Sequence, residues 1–352
     1  MLDQIHGPAD LRPLSYEALD DLAAEIRAFV VDAVDAAGSG HLGSNLGAVE
    51  LTLALHRVFD SPRDLILWDT GHQAYVHKIV TGRQEDFAPL RKAGGMSGYP
   101  NRDESDHDWV ENSHASTILS YAHGLACARD AGTLPDVAPG VPVDDEQGPG
   151  RRQIVAVIGD GSMTGGMAFE GLNNLGHSGR NVIIILNDNG RSYAPTVSRL
   201  GESLARLRLN PSYLRRQARV ERMLHDMPIV GDRLERAVEA TKAAVREMWE
   251  PPAFFENLGV RYSGPFDGHD IEGLERALRH AAELDDGPVV VHVVTQKGKG
   301  HEPAESDTIK HLHDIGGVKP GSYTAAFTEA LVKEAEERPE LIAITAAMPD
   351  ST

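Results

Sequence analysis

Two short segments, each at the exit of an apolar run, carry the residue types of a phosphate and metal site. Gly159-Asp160-Gly161-Ser162-Met163-Thr164-Gly165-Gly166 follows Ile154-Val155-Ala156-Val157-Ile158, and Asn187-Asp188-Asn189-Gly190 follows Val182-Ile183-Ile184-Ile185-Leu186. Glycines let backbone approach a phosphate closely, but the first segment is neither GxGxxG nor GxxxxGK[ST], and no lysine follows it. An aspartate between two glycines would repel a bare pyrophosphate. It makes sense if it holds a divalent cation that in turn holds the pyrophosphate. Asn189 stands 29 residues after Asp160, at the next strand end. An Asn side-chain oxygen with a nearby backbone carbonyl suits Mg²⁺ or Ca²⁺, hard cations that take oxygen ligands. A glycine turn or an Asn-rich turn accounts for either segment singly. The pair, at two consecutive strand ends where ligand loops belong, favours the metal–pyrophosphate site.

Positioning such a site takes a parallel sheet with helices on its faces. The runs Ile154–Ile158, Val182–Leu186 and Val289–Val294 are continuously apolar, as strands buried on both faces are. The helical stretch Met167–Leu175 between the first two makes a βαβ unit, and the fold class expected is a doubly wound, mostly parallel α/β sheet. Helical periods also run from Ser15 to Ala36, with Ser15 as N-cap, from Leu46 to Phe59 and from Ser116 to Ala131; Leu65–Trp68 reads as a further strand ending at Asp69. Residues 133–150, rich in proline and acidic groups, and the strandless stretch 195–250 read as insertions on a domain spanning 1–318. From 319 the pattern restarts with an amphipathic helix, Tyr323–Arg338, and a strand, Leu341–Thr345, the opening of a second domain whose remainder is expected elsewhere.

The charge balance narrows the function. Among 352 residues, 34 Lys+Arg face 53 Asp+Glu, a net charge of −19. This argues against a general nucleic-acid binder, which needs a basic face, and against docking on an anionic membrane. Cys127 is the single cysteine. It allows no intrachain disulfide or cysteine zinc site and reads as a small buried residue of a helix. The first residues show no signal peptide, and no apolar stretch approaches the ~20 residues of a membrane span, so a cytoplasmic location is expected. Several histidines invite a catalytic reading, since imidazole accepts or donates a proton near neutral pH. His41 and His72 stand out because each lies beside glycines in a loop between elements, whereas His6, His56, His225 and His280 read as bland surface or helix residues and His77 as structural.

The Gly-Asp-Gly turn followed by a distant Asn resembles the thiamine-diphosphate motif of that enzyme superfamily. Further segments are similar to the 1-deoxy-D-xylulose-5-phosphate synthase family: Gly40-His41-Leu42-Gly43-Ser44-Asn45-Leu46-Gly47, the stretch Asp69–Lys78, Gly94-Gly95-Met96-Ser97-Gly98, Gly264-Pro265-Phe266-Asp267-Gly268-His269-Asp270, and Lys297-Gly298-Lys299-Gly300 with Pro303-Ala304-Glu305 and His313. The likeness runs from about Ile5 to Met348. It implies a pyrophosphate-type domain that binds thiamine diphosphate and Mg²⁺. Asp160, the Asn189 side chain and the Arg191 backbone carbonyl would be metal ligands, and Gly161 and Ser162 would touch the diphosphate. His72 would lie against the cofactor, beside Ser113, His114 and Ala115, with His301 where the family has a tyrosine. His41, His72 and His313 would be catalytic. Glu111-Asn112-Ser113-His114-Ala115 departs from the family's Gly-His-Ser at this place. The implied reaction condenses pyruvate, with decarboxylation, and an aldose phosphate such as glyceraldehyde 3-phosphate, for isoprenoid and thiamine precursors. The glutamate facing the aminopyrimidine and the basic residues for the sugar phosphate would come from a C-terminal partner chain with the pyrimidine-type and third domains, in a homo- or hetero-oligomer. A split transketolase-like synthase with another donor or a longer acceptor, and a non-catalytic partner subunit, remain alternative readings.

Overall fold

The computed structural model describes residues 1–134, 151–190, 253–308, 311–315 and 320–345. Arg191, residues 135–150 and the stretch 195–250 therefore lie outside the described residues. Five strands, β1 (Leu65–Trp68), β2 (Ile154–Gly159), β3 (Ile183–Asp188), β4 (Arg261–Asp267) and β5 (Val289–Val294), form one sheet in the order β1-β2-β3-β5-β4. Every pairing is parallel. The helices are α1 (Tyr16–Ala37), α2 (Leu42–Gly47), α3 (Val49–Val58), α4 (Tyr75–Val80), α5 (Ile118–Asp130), α6 (Gly166–Ser178), α7 (Ala253–Asn257), α8 (Ile271–Ala282), α9 (Glu302–Ser306) and α10 (Tyr323–Glu337). None of them is long and apolar enough to cross a membrane.

The continuous apolarity of the strands has a direct cause. Ile66, Trp68, Val155, Val157, Ile183, Ile185, Val289, Val291 and Val293 pack on one face, against α1 to α4 and α8. Leu65, Leu67, Ile154, Ala156, Ile158, Ile184, Leu186 and Val290 pack on the other, against α5, α6 and α7. With both faces covered, alternation has no polar side to show. Each fully buried Leu, Ile or Val contributes about 1.5–3 kcal/mol.

Local chemistry sets the element ends. Ser15 caps α1, its side chain accepting from the Ala18 amide. The single helix expected over Leu46–Phe59 is instead two, broken at Ala48. The break lets Gly47 lie so close to the loop after β5 that a Cβ there would meet the Gln296 carbonyl at 2.8 Å. Strand β4 and helix α8 did not show in the apolar pattern. β4 is an edge strand reading Arg261-Tyr262-Ser263-Gly264-Pro265-Phe266-Asp267, irregular between Ser263 and Phe266, and an edge is where a sheet tolerates proline. Asp270 caps α8 by accepting from the Gly273 amide.

Three expectations need correction. Leu341–Thr345 forms no strand: its backbone pairs with neither edge of the sheet, β1 or β4. Helix α10 itself is present, but none of its residues is buried; Tyr323 is 98% and Phe327 57% exposed. His56 is not a bland residue but fully buried, and Cys127 is half-buried rather than buried.

Candidate functional site

The parallel pairing of β2 with β3 sets Gly159 opposite Asn187, so the two exit turns lie side by side. The buried Asp160 donates its amide to the Asn187 carbonyl at 3.2 Å, and its Oδ1 lies 3.4 Å from the Asn189 amide. Gly161 and Ser162 follow in a single 3₁₀ turn, Ser162–Thr164, that leads into α6. The β3 exit is pinned from three sides. Asn187 donates to Gln73 Oε1 at 2.8 Å and accepts from Thr295 Oγ1 at 2.6 Å. Asp188 Oδ2 lies 3.0 Å from His292 Nε2, whose Nδ1 lies 2.7 Å from the Tyr262 hydroxyl.

Ser113, His114 and Ala115 are exposed in the loop before α5. Asp69, buried at the exit of β1, accepts from the amides of Ser116, Thr117 and Ile118, and so caps α5 and fixes the end of this loop. Ser116 has a left-handed φ of 71°, and its hydroxyl donates to the Ser162 carbonyl at 2.6 Å. A strained residue at a loop junction persists only when its surroundings over-determine it. Here it ties the Ser113–Ala115 loop to the Gly161-Ser162 turn. Gly165 is what admits that tie, because a Cβ there would stand 2.1 Å from Ser116 Oγ.

His41, His72 and His313 form one cluster. Ring centroids are 5.4 Å apart for His41–His72, 5.8 Å for His41–His313 and 5.3 Å for His72–His313. Asn45 on α2 clamps two of the loops that carry them. Its Nδ2 donates to the carbonyls of His41 at 2.5 Å and His72 at 2.8 Å, and its Oδ1 accepts from the Tyr75 amide at 2.9 Å. Lys297 and Ser44 approach His313 Nδ1 at 2.6 and 3.2 Å, and Tyr99 stands 5.9 Å from the His41 ring. Burial pushes His41 down to about 4, helped by the cations Arg91 and Lys297. Burial also pushes His72 down to about 3, helped by His41 and Lys297. Both imidazoles are therefore neutral at pH 7, and the Nδ1 of each is buried with no hydrogen-bond partner.

His301 makes none of these ring contacts among the described residues; it is half-buried at the N-terminus of α9. Asn45, Tyr99 and Lys297 are site residues that reasoning from the sequence did not single out. Asn45 and Lys297 lie inside segments quoted for their family likeness, and Tyr99 directly follows one, so the signal was present but carried no role.

These residues suit a diphosphate cofactor and its metal. Two orphaned imidazole nitrogens are polar atoms that a ligand would satisfy. A carboxylate beside an Asn at converging strand ends is a hard-cation donor set. No cluster of three or more His, Cys, Asp or Glu forms a metal site among the described residues, and a site of one carboxylate, one amide and one backbone carbonyl is not of that kind.

This arrangement, a parallel sheet with ligand loops at its carboxyl ends, is the fold of the transketolases. The chain superposes on transketolase from Leishmania mexicana with a TM-score of 0.54 at 20% identity, over 80% of this chain and 37% of that one. It superposes equally, at TM-score 0.54 and 20% identity over 80% and 37%, on a Pichia stipitis transketolase in complex with sedoheptulose 7-phosphate. The family model described as 1-deoxy-D-xylulose-5-phosphate synthase matches residues 2–295, and the chain belongs to that family. It is 51% identical over 362 aligned residues to the 1-deoxy-D-xylulose-5-phosphate synthase of Mycobacterium avium strain 104, covering 100% of this chain and 54% of that relative. It is 50% identical to that of Mycobacterium tuberculosis strain ATCC 25177, with the same 100% and 54% coverage. The chain thus spans about half the length of the curated relatives it matches.

Proposed function

We propose that this chain is the diphosphate- and metal-binding half of a thiamine-diphosphate-dependent transferase. The assembled enzyme condenses pyruvate, with loss of carbon dioxide, and glyceraldehyde 3-phosphate into 1-deoxyxylulose 5-phosphate, a precursor for isoprenoids and thiamine. The convergence of Asp160 and Asn189 at the exits of β2 and β3 carries this reading, together with the family to which the chain belongs. Asp160, the Asn189 side chain and the Arg191 carbonyl would hold Mg²⁺. Gly161 and Ser162 would meet the diphosphate, with His72, the Ser113–Ala115 loop and His301 around the rest of the cofactor. When bound, thiamine diphosphate supplies an electron sink for the two-carbon unit taken from pyruvate.

The chain's own residues handle the protons. His41 and His72, neutral at pH 7, each have a nitrogen free to accept one. Lys297 Nζ and the Ser44 hydroxyl both lie against His313 Nδ1; with Nδ1 accepting, the ring's own proton would sit on Nε2, available to a developing alkoxide. A second chain or domain, equivalent to the remaining half of the longer relatives, supplies the groups that face the aminopyrimidine and the sugar phosphate.

Calorimetric titration of thiamine diphosphate into the assembled protein, with and without Mg²⁺, tests the reading. Affinity should depend on Mg²⁺ and should be lost in Asp160→Ala, because the diphosphate charge is then uncompensated. Unchanged affinity in that variant would refute the metal assignment.

A further inference from the structure

Between the 3₁₀ helix Gln84–Phe87 and α5 the chain runs through an irregular loop that contains no strand and no α-helix. The loop nevertheless delivers Tyr99 to the histidine cluster. The Tyr99 ring lies 5.9 Å from His41 and is tilted by 56° to it. His72 and His313 make ring contacts with the same imidazole, at 5.4 and 5.8 Å.

Two carboxylates hold this loop from within. Glu104 Oε1 accepts from the Ser97 amide at 2.6 Å, and Asp108 Oδ2 accepts from the Asn101 amide at 2.7 Å. The two anchored amides lie two residues before and two residues after Tyr99. The Tyr99 amide donates to Ser97 Oγ at 3.1 Å. Each carboxylate is fixed in turn by the segment that follows His72. Lys78 Nζ donates to Glu104 Oε2. Asp108 Oδ1 lies 2.9 Å from His77 Nε2, and Arg83 donates to both Asp108 oxygens at 2.7 and 3.0 Å. The side chains of His77, Lys78 and Asp108 are fully buried. Burial alone would raise the Asp108 carboxyl, but His77 and Arg83 hold it well below the usual carboxylate range.

Taking several charges out of water is costly, and packed apolar residues would hold a loop as firmly. What a charged clamp adds is a single geometry for the backbone between its anchor points. Gly71 completes the fit: its φ is +82°, and a Cβ there would strike Pro100 Cδ at 2.5 Å.

We propose that Tyr99 is a specificity-determining wall of the histidine site, and that His77, Lys78 and Arg83 act on the reaction as positioning residues, through Glu104 and Asp108. The part concerning acceptors rests on the proposed function; the part concerning the clamp does not. Tyr99 bounds the space beside His41 and limits the bulk of the aldehyde that enters.

The test uses the assembled enzyme and compares kcat/KM for glyceraldehyde 3-phosphate with that for a bulky aromatic aldehyde. Tyr99→Ala should shift the ratio toward the aromatic aldehyde by about tenfold or more, the scale on which a missing group in a pocket alters discrimination. Tyr99→Phe should keep the original ratio. Glu104→Gln should move the ratio in the direction of Tyr99→Ala. Hydrogen exchange gives the second readout: amides 97–101 in Glu104→Gln should exchange faster while the strands of the sheet keep their protection. An unchanged ratio in a folded Tyr99→Ala enzyme would overturn the specificity role. Unaltered exchange at 97–101 in Glu104→Gln would overturn the clamp. If the wild-type assembly made no product, the proposed function would fall and the exchange result would still decide the clamp.

Discussion

A buried imidazole nitrogen without a partner costs about 1–3 kcal/mol, and His41 and His72 each carry one at Nδ1. A site in which both rings are neutral and each carries a buried, unbonded Nδ1 is built to receive something. His41 stands in the loop before α2 and is not part of the Asp160 turn, so its removal should separate binding from chemistry. His41→Ala should keep cofactor affinity, measured by calorimetry on the assembled enzyme, and lower turnover by about 10²–10⁴. Lost affinity with normal turnover at saturation would contradict this. The depressed values also predict how stability depends on pH. Between the ordinary histidine value of 6.5 and the folded values of about 4 and 3, the unfolded chain binds protons that the folded chain does not. Stability is therefore complete above pH 6.5 and is lost as the pH falls toward those values, by up to about 1.4 kcal/mol per pH unit for each group. The buried His56 and His77 and the half-buried His107 are lowered too and act in the same direction. Urea midpoints at pH 7.5, 6 and 5 should fall in that order, and a constant midpoint would show that the histidines are not buried as neutral groups.

Among the elements, α2 is only six residues long, yet it organises the cluster. Its Asn45 uses both ends of one amide to join the loop before α2 to the loop before α4, and Gly43 and Gly47 let the segments carrying Lys297 and His313 come close. Gly43 also accepts from the Gly298 amide and donates to the Leu312 carbonyl. Asn45→Ala would strand the His41 and His72 carbonyls and the Tyr75 amide in a buried place. The expected cost is at least about 3 kcal/mol, since three buried groups lose a partner and each costs about 1–3. Chemical denaturation of the variant reads this directly. A loss below 1 kcal/mol would mean that the loops hold together without the clamp.

On the scale of the whole molecule, helix α10 stands bare. Tyr323, Phe327, Val332, Ile342 and Ile344 are all exposed, and no residue of α10 is buried. Apolar surface of this kind marks an interaction site, and the relatives are nearly twice as long as the chain. The 352-residue chain by itself should bind thiamine diphosphate weakly and form no 1-deoxyxylulose 5-phosphate. Adding a separately produced chain equivalent to the relatives' remaining half should restore both. Product formed at enzymic rates by the isolated chain would overturn the shared-site argument and would require an acid within this chain to serve the aminopyrimidine.

The sequence by itself determined the parallel sheet and the place of the β2 and β3 exits. Continuously apolar runs such as Ile154–Ile158 and Val182–Leu186 suit burial on both faces, and the glycine- and Asn-bearing segments that follow them mark where the strands end. What it did not determine were contacts between residues far apart in the chain. Tyr99 and Lys297 reach the histidines, and Asn45 joins the loops of His41 and His72, only through the packing of segments far apart in the chain. Strand β4 was hidden because an edge strand need not be apolar, and the apolar β-branched run Leu341–Thr345 forms no strand because it does not lie paired against an edge of the sheet. Periodicity reports what a segment can bury. Tertiary structure decides what is there to bury it against.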